Sequence, residues 1–362
     1  MQKIRWGIIG CGDVAEKKSG PAFYKTDDSE LIAVMRRDTD KARDYAERHN
    51  VPKWYGQADA LIADTDVDAV YIATPPDSHA DYTAQVAHAG KPVYVEKPMA
   101  RNHSECQHMV DACQAAKVPL FVAYYRRALP GFLKVKSLVE NGAIGAVRFV
   151  SITLCNPATE DPDNPPWRVR PEVSGGGHFF DLASHQFDYL DYLLGPIASA
   201  SGHARNQAGL YAAEDAVASS FAFESGVLGN GTWSFAADRR QDRIELNGDE
   251  GHIAFSTFDF TPIKLTTATG TKAFDYPAPE HVQQPLIQTI VNALLNRGEC
   301  PSTGASAART RRAVGDGFSA RADPARAGRG QAQRHDLLGH QLGLRGHAQA
   351  RETHRRSASS RL

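Results

Sequence analysis

Three groups of residues in this chain have types and spacings that could do chemistry. The first is Gly10-Cys11-Gly12-Asp13-Val14-Ala15, which fits the pattern GxGxxG/A. Gly10 would permit a tight turn, Gly12 would let the backbone approach a pyrophosphate, and Ala15 is small enough for a helix and strand to pack closely. Asp13, Val14 and Ala15 would open a helix whose unpaired N–H groups attract phosphate. The second group is Glu96-Lys97-Pro98, at the end of an apolar run. A lysine there can donate to a reacting oxygen, and Glu96 can hold the strand end by pairing with a neighbour. The third is Asp181 with His185, four residues apart and so on one face of a helix. Histidine titrates near neutral pH and a carboxylate can orient it, which suits acid–base work at a hydroxyl carbon. A solvated loop lysine and a helix-supporting surface pair fit the same spacings.

The second strand bears on which dinucleotide would bind. NAD enzymes usually place Asp or Glu at its end, to bond the ribose 2′-hydroxyl. Here LIAVM ends in Arg36-Arg37-Asp38. An arginine fork binds a 2′-phosphate in bidentate fashion and stacks beside an adenine. NADP is therefore expected. NAD is the alternative, with Asp38 turned inward to the ribose.

These residues need elements to hold them. IRWGIIG, LIAVMRR, AVYIAT, PVYVEK and PLFVAY read as buried strands, separated by helical stretches such as DKARDYAERHN and SHADYTAQVAHAG. Apolar strands alternating with helices imply a parallel sheet covered on both faces, the doubly wound α/β Rossmann pattern. It is expected over residues 1–122. Residues 123–310 change texture. VRFVSITL, SASGHAR, AVASSFAFESGVLGNGTWSFAA, DRIELNGDEGHIAFST and PIKLTT predict a C-terminal α+β domain with a large, mainly antiparallel open sheet. Ser225-Gly226 marks a hairpin turn, and Gly195-Pro196 stops the long helix that carries Asp181 and His185.

Composition narrows the class. The 362 residues suit two domains, and a formal net charge of −1 suggests neither a nucleic-acid nor a membrane partner. No apolar run approaches the roughly 18–20 residues of a membrane span. The N-terminus lacks a signal-peptide layout, so a cytoplasmic protein is expected. Five widely spaced cysteines without a CxxC pair predict reduced thiols and no metal site. Residues 311–362 hold eleven arginines, no lysine and one aromatic, Phe318. That composition predicts disorder. It also suits a basic nucleic-acid-binding tail, or a shifted reading frame in GC-rich sequence. The last is preferred.

GIIGCGDVA, YIATPPDSHADYTAQVAHAGKPVYVEKPMA, SGGGHFFDLASHQFD and HVQQPLIQTIVNALLNRG together resemble the Gfo/Idh/MocA family, named for glucose–fructose oxidoreductase, inositol dehydrogenase and a rhizopine-catabolism protein. The resemblance spans residues 1 to about 310. It implies a nicotinamide-dependent oxidoreductase acting on sugars, polyols and related small molecules, and homo-oligomers formed through the C-terminal sheet. It tips Lys97, Asp181 and His185 towards a catalytic reading. In that reading His185 takes the hydroxyl proton, Asp181 orients His185 and Lys97 polarises the oxygen. By the same resemblance, Thr74, Pro75 and His79 would contact cofactor, although His79 also fits a helix cap; Glu96 and Lys97 are expected to contact it too, with the lysine by the nicotinamide. Tyr124 and Arg126 would reach substrate, Trp167 and Arg168 would wall its pocket, and Pro98 would follow a cis peptide bond. Relatives continue past GASAART into one more amphipathic helix. A non-catalytic NADP sensor on the same scaffold is the alternative. It would have lost the EKP lysine or the Asp–His pair, and both are retained.

Overall fold

The computed structural model describes residues 3–315 and 318–320. Six strands form one wholly parallel sheet: β1 (Ile4–Ile9), β2 (Ser29–Met35), β3 (Lys53–Tyr55), β4 (Ala69–Ile72), β5 (Val93–Val95) and β6 (Leu120–Val122). Their order is β3-β2-β1-β4-β5-β6. Strands β1, β4, β5 and β6 are apolar runs because helices cover both faces of the sheet. The sequence reading lacked β3. It has three residues, sits at the sheet edge and exposes Trp54, so it makes no apolar run. The order reverses between β1 and β4, which opens a crevice beyond the carboxyl ends of the strands.

Helices α1 (Gly20–Lys25), α2 (Thr39–His49), α3 (Ala58–Ala63), α4 (His79–His88) and α5 (His103–Ala116) connect these strands. The chain leaves the glycine turn in a wider π-type winding, Ala15–Ser19, before α1. Pro21 has no N–H to continue an α-helical ladder, and the wider winding absorbs the interruption.

Helices α6 (Pro130–Glu140), α7 (Pro171–Ser174) and α8 (His178–Leu194) accompany a second sheet. Its strands are β7 (Val147–Cys155), β8 (Ile197–Arg205), β9 (Ala216–Phe223), β10 (Leu228–Ser234), β11 (Gln241–Gly248), β12 (Gly251–Phe255), β13 (Ile263–Thr267), β14 (Gly270–Phe274) and β15 (Phe318–Ala320). Among the described residues the order is β14-β13-β12-β11-β7-β10-β9-β8-β15, antiparallel except for β7 with β10 and β8 with β15. Strands β9 and β10 turn at Ser225-Gly226, where Gly226 has φ +87°. Alternation puts Val217, Phe221 and Trp233 on one face, where Phe179 and Phe187 of α8 pack against Trp233. The other face is lined by exposed Ala218, Ser220, Leu228, Asn230 and Thr232.

Helix α8 is buried on nearly every side and ends at Gly195. Helices α9 (Gln284–Leu294) and α10 (Gly304–Gly315) close the unit. The atypical tail expected from residue 311 opens with residues that are still helical. Arg309 and Thr310 bond Asp191 and Asp188 of α8, and Val314 lies in the core, so α10 continues to Gly315. The rest of the tail, residues 321–362, lies outside the described residues. No described helix is long and apolar enough to cross a membrane.

Candidate active site

The glycine turn sits at the switch point between β1 and β4. Gly10 has φ +96°, and a Cβ there would lie 2.9–3.1 Å from Thr74 and Ala73 atoms, so only glycine fits without strain. Gly12 is different: the nearest atom to its would-be Cβ is 4.0 Å away. The open space beside it belongs to a crevice of about 450 Å³ lined by Gly10, Gly12, Arg36, Arg37, Thr74, Pro75 and Tyr82, among others. Glycines, two arginines and the loop after β4 lining one crevice suit a dinucleotide, with Asp38 and Asp77 also in its lining. Asp13 is exposed and pairs with Lys17 at 2.7 Å, Val14 is half-buried and Ala15 is buried. Arg36 Nη1 donates to Cys11 O at 3.4 Å, and Arg37 is exposed. The Asp38 carboxylate caps α2 through Lys41 N–H at 3.2 Å and meets Lys41 Nζ at 3.1 Å. These bonds hold it below its usual range, and the residue lines the crevice beside Arg36 and Arg37.

Two of the expected cofactor contacts, His79 and Glu96, have other partners in the structure. His79 is fully buried, with Nδ1 3.1 Å from Met99 O and Nε2 2.7 Å from Thr74 O. It ties the loop after β4 to the loop after β5 and does not face the crevice. Burial lowers its pKa. Glu96 Oε1 accepts from Tyr71 and Gln283, each at 2.5 Å, and Oε2 accepts from Lys97 N–H at 3.1 Å. The residue anticipated as a strand-end tether is one, and its oxygens are engaged within the protein. The Lys97–Pro98 peptide bond is cis.

The glycine run before α8 sets the next contact. Gly175 has φ +81°, and a Cβ there would meet the Arg101 backbone at 2.2–2.7 Å. That close approach lays the start of α8 on the loop following β5. Lys97 Nζ then reaches Asp181 Oδ1 at 2.5 Å and Asp181 O at 3.0 Å, with both side chains nearly buried. Arg168 Nε lies 3.5 Å from Asp181 Oδ2 and its guanidinium stacks 4.5 Å from the Trp167 ring. Burial disfavours the Asp181 carboxylate, but Lys97 and Arg168 outweigh it and keep the pKa below the ordinary value.

This corrects one expectation. Asp181 makes no hydrogen bond to His185. Two cations claim the carboxylate, and an ion pair across elements outweighs a neutral contact along one helix turn. His185 is 3% exposed and its Nδ1 has no hydrogen-bond partner. Rings surround it: Tyr125 at 5.2 Å, Tyr124 at 5.8 Å and Phe258 at 6.0 Å, all edge-on. Burial, followed by the positive charges of Arg126, Lys97 and Lys18, pushes its pKa well below the usual value, so the ring is neutral at neutral pH.

Arg126 is 3% exposed and sits among rings, 4.5 Å from Phe258, 5.0 Å from Tyr125 and 5.9 Å from Phe132. Its Nε donates to Thr257 O at 2.8 Å. Tyr124 is buried and forms wall. Sequence reasoning missed Tyr125, although it stands beside Arg126 in AYYRR. Burial opposes its ionisation, but Arg126, Lys18 and Lys97 draw its pKa below the ordinary phenol value. Phe258 and Gln283 were also missed. They come from distant segments with no local signal. His178, facing Glu160 at 2.6 Å, could have been noticed within GGGHFFD.

Comparisons with known proteins identify the family and agree with the fold. Residues 4–124 match the model of an oxidoreductase family with an NAD-binding Rossmann fold, and residues 132–254 match the GFO/IDH/MocA C-terminal domain. Oxidoreductase P35 of Formosa agariphila is 41% identical over 84% of this chain and 95% of its own length. Myo-inositol 2-dehydrogenase of Thermotoga maritima is 31% identical over 75% and 81%. The crystal structure of aldose-aldose oxidoreductase from Caulobacter crescentus, complexed with glycerol, superposes with TM-score 0.77 at 25% identity, covering 86% of this chain and 96% of that one.

Proposed function

Because the chain belongs to the Gfo/Idh/MocA family of NAD-binding oxidoreductases, we propose that it interconverts a hydroxyl and a carbonyl on a sugar or polyol, with NADP preferred over NAD. The observation that carries this reading is the Lys97–Asp181 pair beside a neutral, buried His185, beyond the carboxyl ends of the parallel strands. Gly10, Gly12, Arg36, Arg37, Thr74 and Pro75 would hold the dinucleotide. When bound, it supplies the hydride acceptor or donor. Arg36 and Arg37 support NADP, because two guanidinium groups lining this end of the crevice can take a 2′-phosphate.

The chain's own residues handle the proton and the oxygen. His185, held unprotonated, accepts the hydroxyl proton as the alcohol is oxidised. Lys97, fixed by Asp181, donates a charged hydrogen bond to the reacting oxygen. Asp181 thus positions Lys97, where the sequence suggested His185. Arg168 and Trp167 form a cationic aromatic wall on the same side as Asp181. Relatives named myo-inositol 2-dehydrogenase and 1,5-anhydro-D-fructose reductase support the substrate class. The polar outer face of the second sheet, with Leu228 55% exposed, is the surface through which subunits would pair.

The test is a screen of nicotinamide absorbance with NADP and NAD against sugars and polyols. Hydride transfer should appear with at least one compound. It should fall by roughly 10²–10⁴-fold in His185→Asn and in Lys97→Ala. Unchanged turnover in either variant would sink the assignment.

A further inference from the structure

Resting on that reading of the site, we propose that the substrate carries a carboxylate, as a sugar acid does, and that Arg126 binds it. Arg126 is a buried cation that no carboxylate answers among the described residues. Lys97 and Arg168 share Asp181, whereas Arg126 spends only Nε, on Thr257 O. Its Nη1 is buried without a hydrogen-bond partner, and Nη2 donates to none of the described residues.

The residue is held as a built site would hold it. The carbonyl it uses belongs to Thr257, whose N–H bonds Asp242 at 3.0 Å and whose hydroxyl accepts from Gln186 at 3.2 Å. Gln186 in turn accepts from Trp233 at 2.7 Å. Tyr125, Phe258 and Phe132 lie around the guanidinium, and its buried Nη1 keeps an unused donor. Rings compensate part of the charge. A buried cation lacking an anion is otherwise costly to keep, and a ligand carboxylate supplies two acceptors in the geometry that guanidinium matches.

The placement fits the chemistry. Tyr125 and Phe258 flank both Arg126 and His185, so a carboxylate on Arg126 would bring a neighbouring carbinol towards the imidazole. It would also offset one of the charges that keep His185 unprotonated, making the ring a better proton acceptor with substrate in place. A neutral sugar would leave the Arg126 charge unanswered.

The experiment titrates the enzyme–NADP⁺ complex calorimetrically with D-glucuronate, D-galacturonate and D-mannuronate, and with the parent aldoses. At least one uronate should bind roughly ten- to hundredfold tighter than its aldose. Arg126→Gln should abolish that advantage and Arg126→Lys should keep part of it. The neutral uronamide, measured on the unaltered protein, should bind as weakly as the aldose, and this arm does not depend on how the variants fold. The proposal is overturned if no uronate exceeds its aldose, if the uronamide binds as tightly as the acid, or if the preference survives Arg126→Gln. Turnover is recorded separately. Tight uronate binding without hydride transfer from any sugar would refute the function proposed above and leave the carboxylate site standing, while turnover of neutral sugars alone would do the reverse.

Discussion

At the scale of single residues the active site is a contest for charge. One carboxylate, Asp181, serves two cations, and the histidine four residues along is left neutral among rings. The consequence can be read as pH-dependent stability. His185 and His79 both have folded pKa values below the ordinary 6.5. Below pH 6.5 the unfolded chain therefore takes up protons that the folded chain refuses, and stability falls as pH drops. The slope reaches about 1.4 kcal/mol per pH unit for each histidine. The groups facing His185 are Arg126, Lys97 and Lys18, all cationic, with the Tyr124 and Tyr125 rings. His185→Asn should flatten the pH dependence of urea unfolding between pH 6.5 and about 5. An unaltered slope would show that His185 is not held neutral. A second residue-scale prediction concerns the cofactor. Arg36→Ala with Arg37→Ala should raise KM for NADP by roughly ten- to hundredfold and change KM for NAD much less. Equal losses with both would argue against a 2′-phosphate site.

At the scale of elements, buried ion pairs dock α8. Arg127 follows β6 and bonds both oxygens of Asp188, at 2.8 and 2.9 Å, and reaches Asp191 at 3.2 Å. Asp191 is shared with Arg309 of α10, and Thr310 bonds Asp188. This cluster fixes the helix that presents Asp181 and His185, and it joins the loop after β6 to α10. Arg127→Met would strand Asp188 without its cation in a buried place. The expected cost is about 3–5 kcal/mol, seen as a lower unfolding midpoint. A loss within error would mean that packing alone seats α8. Much of this level was legible. The strand and helix alternation, the hairpin at Ser225-Gly226 and the stop at Gly195 all show as local patterns. Strand β3 did not, because a three-residue edge strand with an exposed tryptophan carries no periodic signal.

At the scale of the whole described unit, α10 seals the Rossmann sheet and α8 together. Ala307 and Ala308 are buried against the cluster that holds Leu120, Val122 and Cys106. Small residues there let the helix lie close. Ala307→Glu would bury an unpaired carboxylate and push side chains apart, costing several kcal/mol by the usual penalty for such a group, about 3 or more. Thermal unfolding should show a large fall in midpoint or loss of cooperativity. A near-normal midpoint would mean that α10 is dispensable.

The sequence by itself determined what depends on neighbours along the chain: the glycine turn, strand and helix periodicity, and the identity of Lys97, Asp181 and His185 as reactive types. It also placed Arg36 and Arg37 at the end of β2. Tertiary structure decided how those groups were paired. Helical spacing put Asp181 and His185 on one face, yet Lys97, eighty-four positions away, took the carboxylate because Gly175 lets the two segments touch. His79 and Glu96 turned from the cofactor to the scaffold for the same reason: burial obliges polar atoms to find partners nearby in space. Arg126 was legible as an arginine beside the site. That its charge is buried, ringed by aromatics and unanswered among the described residues became visible only when Thr257 and Phe258 arrived from the segment after β12.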